Sequence, residues 1–421
     1  MVWKFGPSNI QTPLTPQNIT LTYWGLWEEE AAVRPLLEEY KKLHPNISIN
    51  YVRHSSVNYR TKVQTQIREG AGPDVFWIHN SWLPMFVTDL SPTPNEVFSF
   101  QEYQSTFYPV MSESFVRNNQ IYAAPFGIDG LALFYNEEIL AGTGINVPKN
   151  WQEFIDASVR TTVKDTSGQI LTAGAAMGTA GNVDNWSDIL GLLLLQQPGV
   201  NLLSNNPNIA TPAVAEVMKF YTGFVTDPKR QTWDATMPSS TQAFAQNRLT
   251  FYIAPSWRAY ELRQINPNLK FKVAPIPQLS GNPVGWASFW AQAVSAKSKY
   301  PDESWKFVKF LSSKQAEQTA YRQASQVRLF GEPYSRADLV PELTNDPIVG
   351  AFVNQGPIYK FWYLSSNTFD NGINDEMIKY WEDGVNATLA GTDPQIALQT
   401  VEQGVRQVLN KYFNSQSVQT Q

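Results

Sequence analysis

Apolar and polar residues alternate through Ile19, Leu21 and Tyr23, a period-two pattern that predicts a strand over residues 19–26. Glu28, Glu29 and Glu30 follow, acids where the positive end of a helix favours them. Val33, Leu36, Leu37, Tyr40 and Leu43 then recur at helical spacing, until His44-Pro45-Asn46 ends the run. Pro35 fits that helix only near its start. Residues 47–52 alternate again, residues 57–69 suit a helix ending at Gly70, and Gly72-Pro73 leads into a short apolar strand at 74–78. The order is β-α-β-α-β at the spacing of parallel α/β units. In such sheets the loops after the strands gather at one edge and build a ligand site. Here those loops are Trp24 to Glu28 and His79 to Trp82, rich in rings and hydrogen-bonding groups.

The middle of the chain continues in this style. Residues 121–124 and 131–135 read as extended around Pro125-Phe126-Gly127. Residues 150–163 read as a helix capped by Asn150, and 183–195, 212–226 and 239–246 as further helices. Strands are expected at Leu249 to Ile253 and at 270–274, an extended run after Pro283, and a helix at 301–312 opened by Pro301. The end, about 373–413, reads as helical with turns at Gly384 and at Gly391 to Pro394. Residues 1–17, rich in Pro, Thr, Gln and Asn, read as a flexible N-terminal linker with no apolar leader. The longest aliphatic run, Ile189 to Leu195, is far short of the ~20 residues that span a bilayer.

Composition narrows the chemistry. With 421 residues and 43% hydrophobic content, the chain can bury the cores of two or three domains. A net charge of -5 argues against nucleic acid and anionic membranes as partners. There is no cysteine, which removes disulfides, thiolate metal sites and thiol catalysis, and His44, His54 and His79 show no ligand spacing. No metal and no cofactor is therefore expected. Phosphate-loop, dinucleotide-fold and serine-elbow motifs are absent. The 14 Trp, 18 Tyr and 23 Phe exceed what core packing alone explains, and stacking on sugar rings is one use for an exposed ring.

Five stretches in order carry a resemblance: TYWGLWEEEAAVRPLLEEYKKLHPNISINY (22–51), GAGPDVFWIHNSWLPMF (70–86), YAAPFGIDGLALFYNEEILAGTGINVPKNWQEF (122–154), MPSSTQAFAQNRLTFYIAPSWRAYEL (237–262) with FKVAPIPQ (271–278), and PVGWASFWAQAVSAKSKYPDESWKFVKFLSS (283–313). Together they resemble the family 1 extracellular solute-binding proteins, sugar-binding subunits of ABC importers, over roughly residues 19–413. The resemblance implies a two-lobed α/β fold of the periplasmic-binding-protein type, with ligand in an interlobe cleft and closure by hinge bending. Lobe one would take 18–126 plus 291–335, and lobe two 127–290 plus 336–421, with crossings near Phe126 to Gly130 and Gly285 to Gln292. It implies a monomer outside the cytoplasm, periplasmic or tethered as a lipoprotein, with a carbohydrate ligand and an importer permease as partners. It implies no catalysis.

Each candidate site residue has a second reading. Trp27 and Glu28 either stack and accept sugar hydroxyls or pack and favour a helix start; Asn80 and Trp82 either bind, or Asn80 or Ser81 caps the next helix. Asp129 is an acid in an apolar stretch, costly to bury unpaired, at a place where the family uses an acid on ligand hydroxyls. The resemblance places a cleft tryptophan at Trp257. Of Trp286 and Trp290, one lines the cleft and the other packs. Trp362 is a second-lobe candidate, and Trp186 has a core explanation in the apolar helix after it. The competing functions are a same-fold binder of a peptide, polyamine or glycerol phosphate, and a glycoside hydrolase, which needs two carboxyl groups about 5–9.5 Å apart.

Overall fold

The computed structural model describes residues 17–202, 206–279, 281 and 283–413. The expected linker, apart from Gln17, and the last eight residues of the chain lie outside them. Two five-stranded sheets organise the rest. The first runs in the order Ile47–Arg53, Ile19–Gly25, Val75–His79, Trp290–Val294, Ala123–Pro125. Its first three strands are parallel, and Trp290–Val294 is antiparallel to both neighbours, with Trp290 opposite His79. The second sheet runs Phe271–Ala274, Ala132–Asn136, Leu249–Ala254, Ile170–Ala175, Val163–Lys164. Each sheet carries helices, so the fold is α/β as the β-α-β-α-β start predicts, and two-lobed as the resemblance implies.

Local chemistry sets the boundaries. Asn150 caps helix Trp151–Thr161 by accepting from the Glu153 N–H at 2.9 Å, while the Glu153 carboxylate accepts from the Lys149 N–H at 2.8 Å. Helix Glu30–Leu43 buries Leu36 and Tyr40, and the Tyr40 ring meets Phe307 edge-on at 4.9 Å. The expected turn at Gly384 does not occur: helix Ile373–Leu389 runs straight through it. That glycine is there for proximity, since a Cβ would stand 2.6 Å from Val401 on helix Pro394–Phe413. The break at Gly391, in the left-handed region at φ +96°, is where it was expected.

The chain leaves the first sheet after Pro125, enters the second at Ala132, and returns between Ala274 and Trp290. These passages lie side by side. The Leu131 N–H donates to the Trp286 carbonyl (3.0 Å), the Ser288 N–H to the Asp129 carbonyl (3.0 Å), the Ile128 N–H to Pro333 (2.8 Å) and the Ala287 N–H to Lys360 (2.8 Å). Gly130 bridges Ala287, and a Cβ on it would sit 2.0 Å from the Trp286 carbonyl oxygen. That oxygen belongs to backbone and cannot swing aside. We expect Gly130→Ala to lower unfolding free energy by about 2 kcal/mol or more, measured by urea titration.

Candidate functional site

Strand direction fixes which ends of the sheets meet. Parallel strands 19–25, 47–53 and 75–79 all end at one edge of the first sheet, where loops 26–29, 54–58 and 80–82 emerge. Strands 170–175 and 249–254 are parallel too, and antiparallel 132–136 starts at their carboxyl ends. The loops after them, 176–185 and 255–257, therefore share an edge with the crossing residues 128–131. Because the chain crosses at that edge, the loop edges of the two sheets face each other. A separate cavity of about 270 Å³ lies elsewhere, among Trp151, Phe220 and Leu193.

On the first edge the rings form a chain. Trp27 is 49% exposed and meets Trp290 edge-on at 4.9 Å and Trp77 at 6.0 Å. Half-buried Trp290 meets Trp82 at 5.0 Å, and fully buried Trp82 stacks on Phe86 at 5.9 Å. Edge-to-face geometry lets the ring quadrupoles attract, so the buried members brace the exposed one. Asn80 is buried and locks its loop to the crossing: its N–H donates to the Phe289 carbonyl (3.0 Å) and its Oδ1 accepts from the Phe289 N–H (3.1 Å). Neither Asn80 nor Ser81 caps a helix. Trp82 occupies the cap position of helix Leu83–Phe86, and Ser81 Oγ accepts instead from Asn374 Nδ2 at 2.7 Å. His79, held neutral because burial pushes its pKa down to about 3, reaches Ser81 Oγ (2.7 Å) and Ser288 Oγ (3.1 Å).

Glu28 makes an ion pair with Arg328 at 2.9 Å. Burial raises its pKa and the guanidinium opposes that rise. Arg328 also pairs with Glu332 at 3.0 Å and lies 5.1 Å over the ring of Tyr260, whose hydroxyl donates to the Phe330 carbonyl at 3.0 Å. Sequence reasoning missed Arg328 and Tyr260. Glu28 lies 300 residues before Arg328 and Phe330 lies 70 residues after Tyr260, so no local pattern marks either residue.

On the second edge Asp129 is buried. Its Oδ1 accepts from the N–H groups of Gly130 (2.7 Å) and Ser256 (3.0 Å), and its Oδ2 accepts from Ser256 Oγ (2.9 Å). It thus ties the crossing to the turn that presents Trp257. Trp257 is 37% exposed at the start of helix Arg258–Ile265, with the Arg258 guanidinium 4.2 Å over its ring. The remaining candidates are interior. Trp186 is buried at the first turn of its helix. Trp286 is fully buried against Gly191 and donates from Nε1 to Asp188 Oδ1 at 2.9 Å. Trp362 is fully buried beside Trp381 at 6.3 Å. In this structure Trp286 and Trp362, like Trp82, are fully buried. The structure thus brings together Trp27, Glu28, Asn80, Trp82 and Trp290 at one edge, and Asp129 and Trp257 at the other.

Three comparisons bear on this arrangement. Residues 24–318 match the family described as bacterial extracellular solute-binding protein. A multiple sugar-binding protein of Streptococcus mutans is 23% identical over 330 residues, covering 72% of this chain and 73% of that one. A putative binding protein of Brucella abortus is 24% identical over 300 residues, covering 68% and 71%. Among solved structures, the sugar-binding protein MalE of Xanthomonas citri is similar with a TM-score of 0.76 at 20% identity, over 96% of this chain and all of that one.

Burial pushes the Asp129 pKa up to about 7 against its three hydrogen bonds, which favour the charged form. The folded chain therefore holds this proton more tightly than the unfolded chain. The resulting stabilisation is complete below the ordinary aspartate range and is lost as pH rises through about 7. Asp188, raised by burial to about 6, acts in the same direction, whereas His79, lowered by burial to about 3, acts in the opposite direction up to the ordinary histidine range and makes the fall shallower there. We expect the urea midpoint of the native sequence to fall between about pH 5 and about pH 8. Asp129→Asn, which keeps an Oδ1 acceptor for both N–H groups, should show a shallower fall; an equal slope would remove Asp129 from the account.

Proposed function

The chain belongs to the bacterial extracellular solute-binding proteins, and from that premise we propose that it captures an oligosaccharide between its lobes. The sugar is then delivered to the permease of an ABC importer outside the cytoplasm. Lobe one takes residues 18–126 and 291–335, and lobe two 127–290 and 336–421. This division is supported by the sheets, since every strand of the first sheet falls in the first set, apart from Trp290 at the start of Trp290–Val294, and every strand of the second in the other. The protein acts as a monomer, tethered or free, and returns its ligand chemically unchanged.

One observation carries the carbohydrate reading: two exposed indoles, Trp27 and Trp257, stand on facing edges, with the Glu28 carboxylate beside the first. Pyranose rings have apolar C–H faces that suit indoles and hydroxyls that suit a carboxylate acceptor. Bonds to a charged acceptor are worth about 1.5–3 kcal/mol against about 1 for neutral pairs. The sugar-binding proteins of Streptococcus mutans and Xanthomonas citri are named for the same class of ligand. The crossing segments supply the hinge.

Thermal unfolding against mono- to tetrasaccharides, with each sugar recovered, tests this. A ligand specific for the folded state adds about 2.7 kcal/mol at a hundredfold excess over its Kd. We expect a raised Tm with at least one oligosaccharide, returned intact, and loss of most of that shift in Trp257→Ala. Cleaved sugar would make the protein a hydrolase. No shift with any sugar would exclude carbohydrate capture.

A further inference from the structure

Between the facing edges the chain lays one more segment, residues 365–374, leading into helix Ile373–Leu389. On the side of lobe two, the Ser366 N–H donates to Asp188 Oδ2 (3.1 Å) and Asn185 Nδ2 donates to Ser366 Oγ (3.2 Å). On the side of lobe one, the Arg60 guanidinium donates to the carbonyls of Asp370 and Asn371, and Asn371 Nδ2 donates to Asn58 Oδ1 (3.2 Å). Asn374 adds its bond to Ser81. The segment thus touches loop residues of both edges. The buried Asp370 carboxylate fixes its shape, accepting from the N–H groups of Gly372 (2.8 Å), Asn374 (3.1 Å) and Asp375 (3.2 Å) and from Asn374 Nδ2 (2.8 Å).

Three of its residues lie in the left-handed region: Asn367 at φ 59°, Phe369 at φ 50° and Asn371 at φ 45°. Asparagine adopts that region readily; phenylalanine does not. Phe369 gains little from burial in exchange, being 48% exposed, and among the described residues no aromatic ring packs on it. Asn371 is two residues from it and also left-handed, so the segment holds the ring out at two strained or permissive joints. A strained residue kept in place by a buried, fully bonded carboxylate points to a role in function.

We propose that Phe369 is a ligand-contacting residue, a stacking face for one sugar ring of a bound oligosaccharide, in addition to Trp27 and Trp257. This rests on the capture function proposed above. Its chemistry is that of an unsubstituted ring, apolar on both faces, which selects a sugar unit by its C–H face and not by its hydroxyls. It extends the site along the segment and makes affinity grow with the length of the sugar chain.

The test is calorimetric titration of the full chain with linear di-, tri- and tetrasaccharides of the class that raises its Tm, for the native sequence and for Phe369→Ala, Phe369→Gly and Phe369→Tyr. We expect Kd for the tri- and tetrasaccharide to rise about tenfold in Phe369→Ala and Phe369→Gly, and to be restored within about twofold by Phe369→Tyr. We expect the Tm of ligand-free Phe369→Gly to be unchanged or higher, since glycine relieves the left-handed backbone. A ligand-free Tm that falls in Phe369→Gly would make the ring structural and overturn the proposal. Unchanged Kd in Phe369→Ala, with the native sequence binding, would overturn this proposal alone. A native sequence that binds no sugar would overturn the capture function, and this proposal with it.

Discussion

At Gly130 the backbone comes so close to the carbonyl of Trp286 that no side chain fits between them, and this contact holds together the two passages by which the chain crosses between the lobes. Its consequences spread outward. The close approach aligns the passages at 128–131 and 285–289, and their mutual hydrogen bonds replace those that each sheet edge lacks there. Asp129, next in the chain, faces Ser256 and so sets where Trp257 begins its helix. Phe289, from the returning passage, is grasped on both backbone groups by Asn80. Each edge of the cleft is thereby positioned by a buried polar residue bonded to the crossing, which fixes where the rings that stand out from the edges are mounted.

The exposed tryptophan at each edge illustrates how little of its environment a side chain must share with its neighbours. Trp27 contributes one face to solvent and is braced from behind by Trp290 and Trp82, whose rings lie progressively deeper. Trp257 is braced differently, by a guanidinium over its face. The first arrangement relies on burial and quadrupole contacts, the second on a charge held by the ring. Both hold the indole in one orientation, with much of its rotational freedom already lost.

Much of this was legible in the sequence. Alternation gave strands 19–25 and 47–53 of the first sheet, helical spacing gave helix Glu30–Leu43, and Asn150 announced its own cap. The resemblance over five stretches pointed to two lobes and a family, which the match over residues 24–318 bears out. What local pattern could not supply was partner identity. Whether a tryptophan is core or surface depends on residues far along the chain: Trp286 is buried because Asp188 and Gly191 receive it. Gly384 reads as a turn because glycine often is one, whereas its role depends on Val401 in the next helix. The helix expected over 150–163 ends at Thr161, and Val163 opens a two-residue strand too short to show a period; strand 170–175 carries no expectation from the sequence. Phe369 gave no signal because backbone strain is not written in composition.

The segment at 365–374 has a mechanical meaning as well. Two bodies joined at a single place can swing and twist about any axis through it. Here Ala123–Pro125, which feeds the first crossing, is one edge strand of the first sheet, while Asn58 and Arg60 follow the opposite edge strand, Ile47–Arg53. Attachment at both borders resists twisting and sideways swinging of one lobe on the other, and leaves the line through the two attachments as the axis of least resistance to rotation.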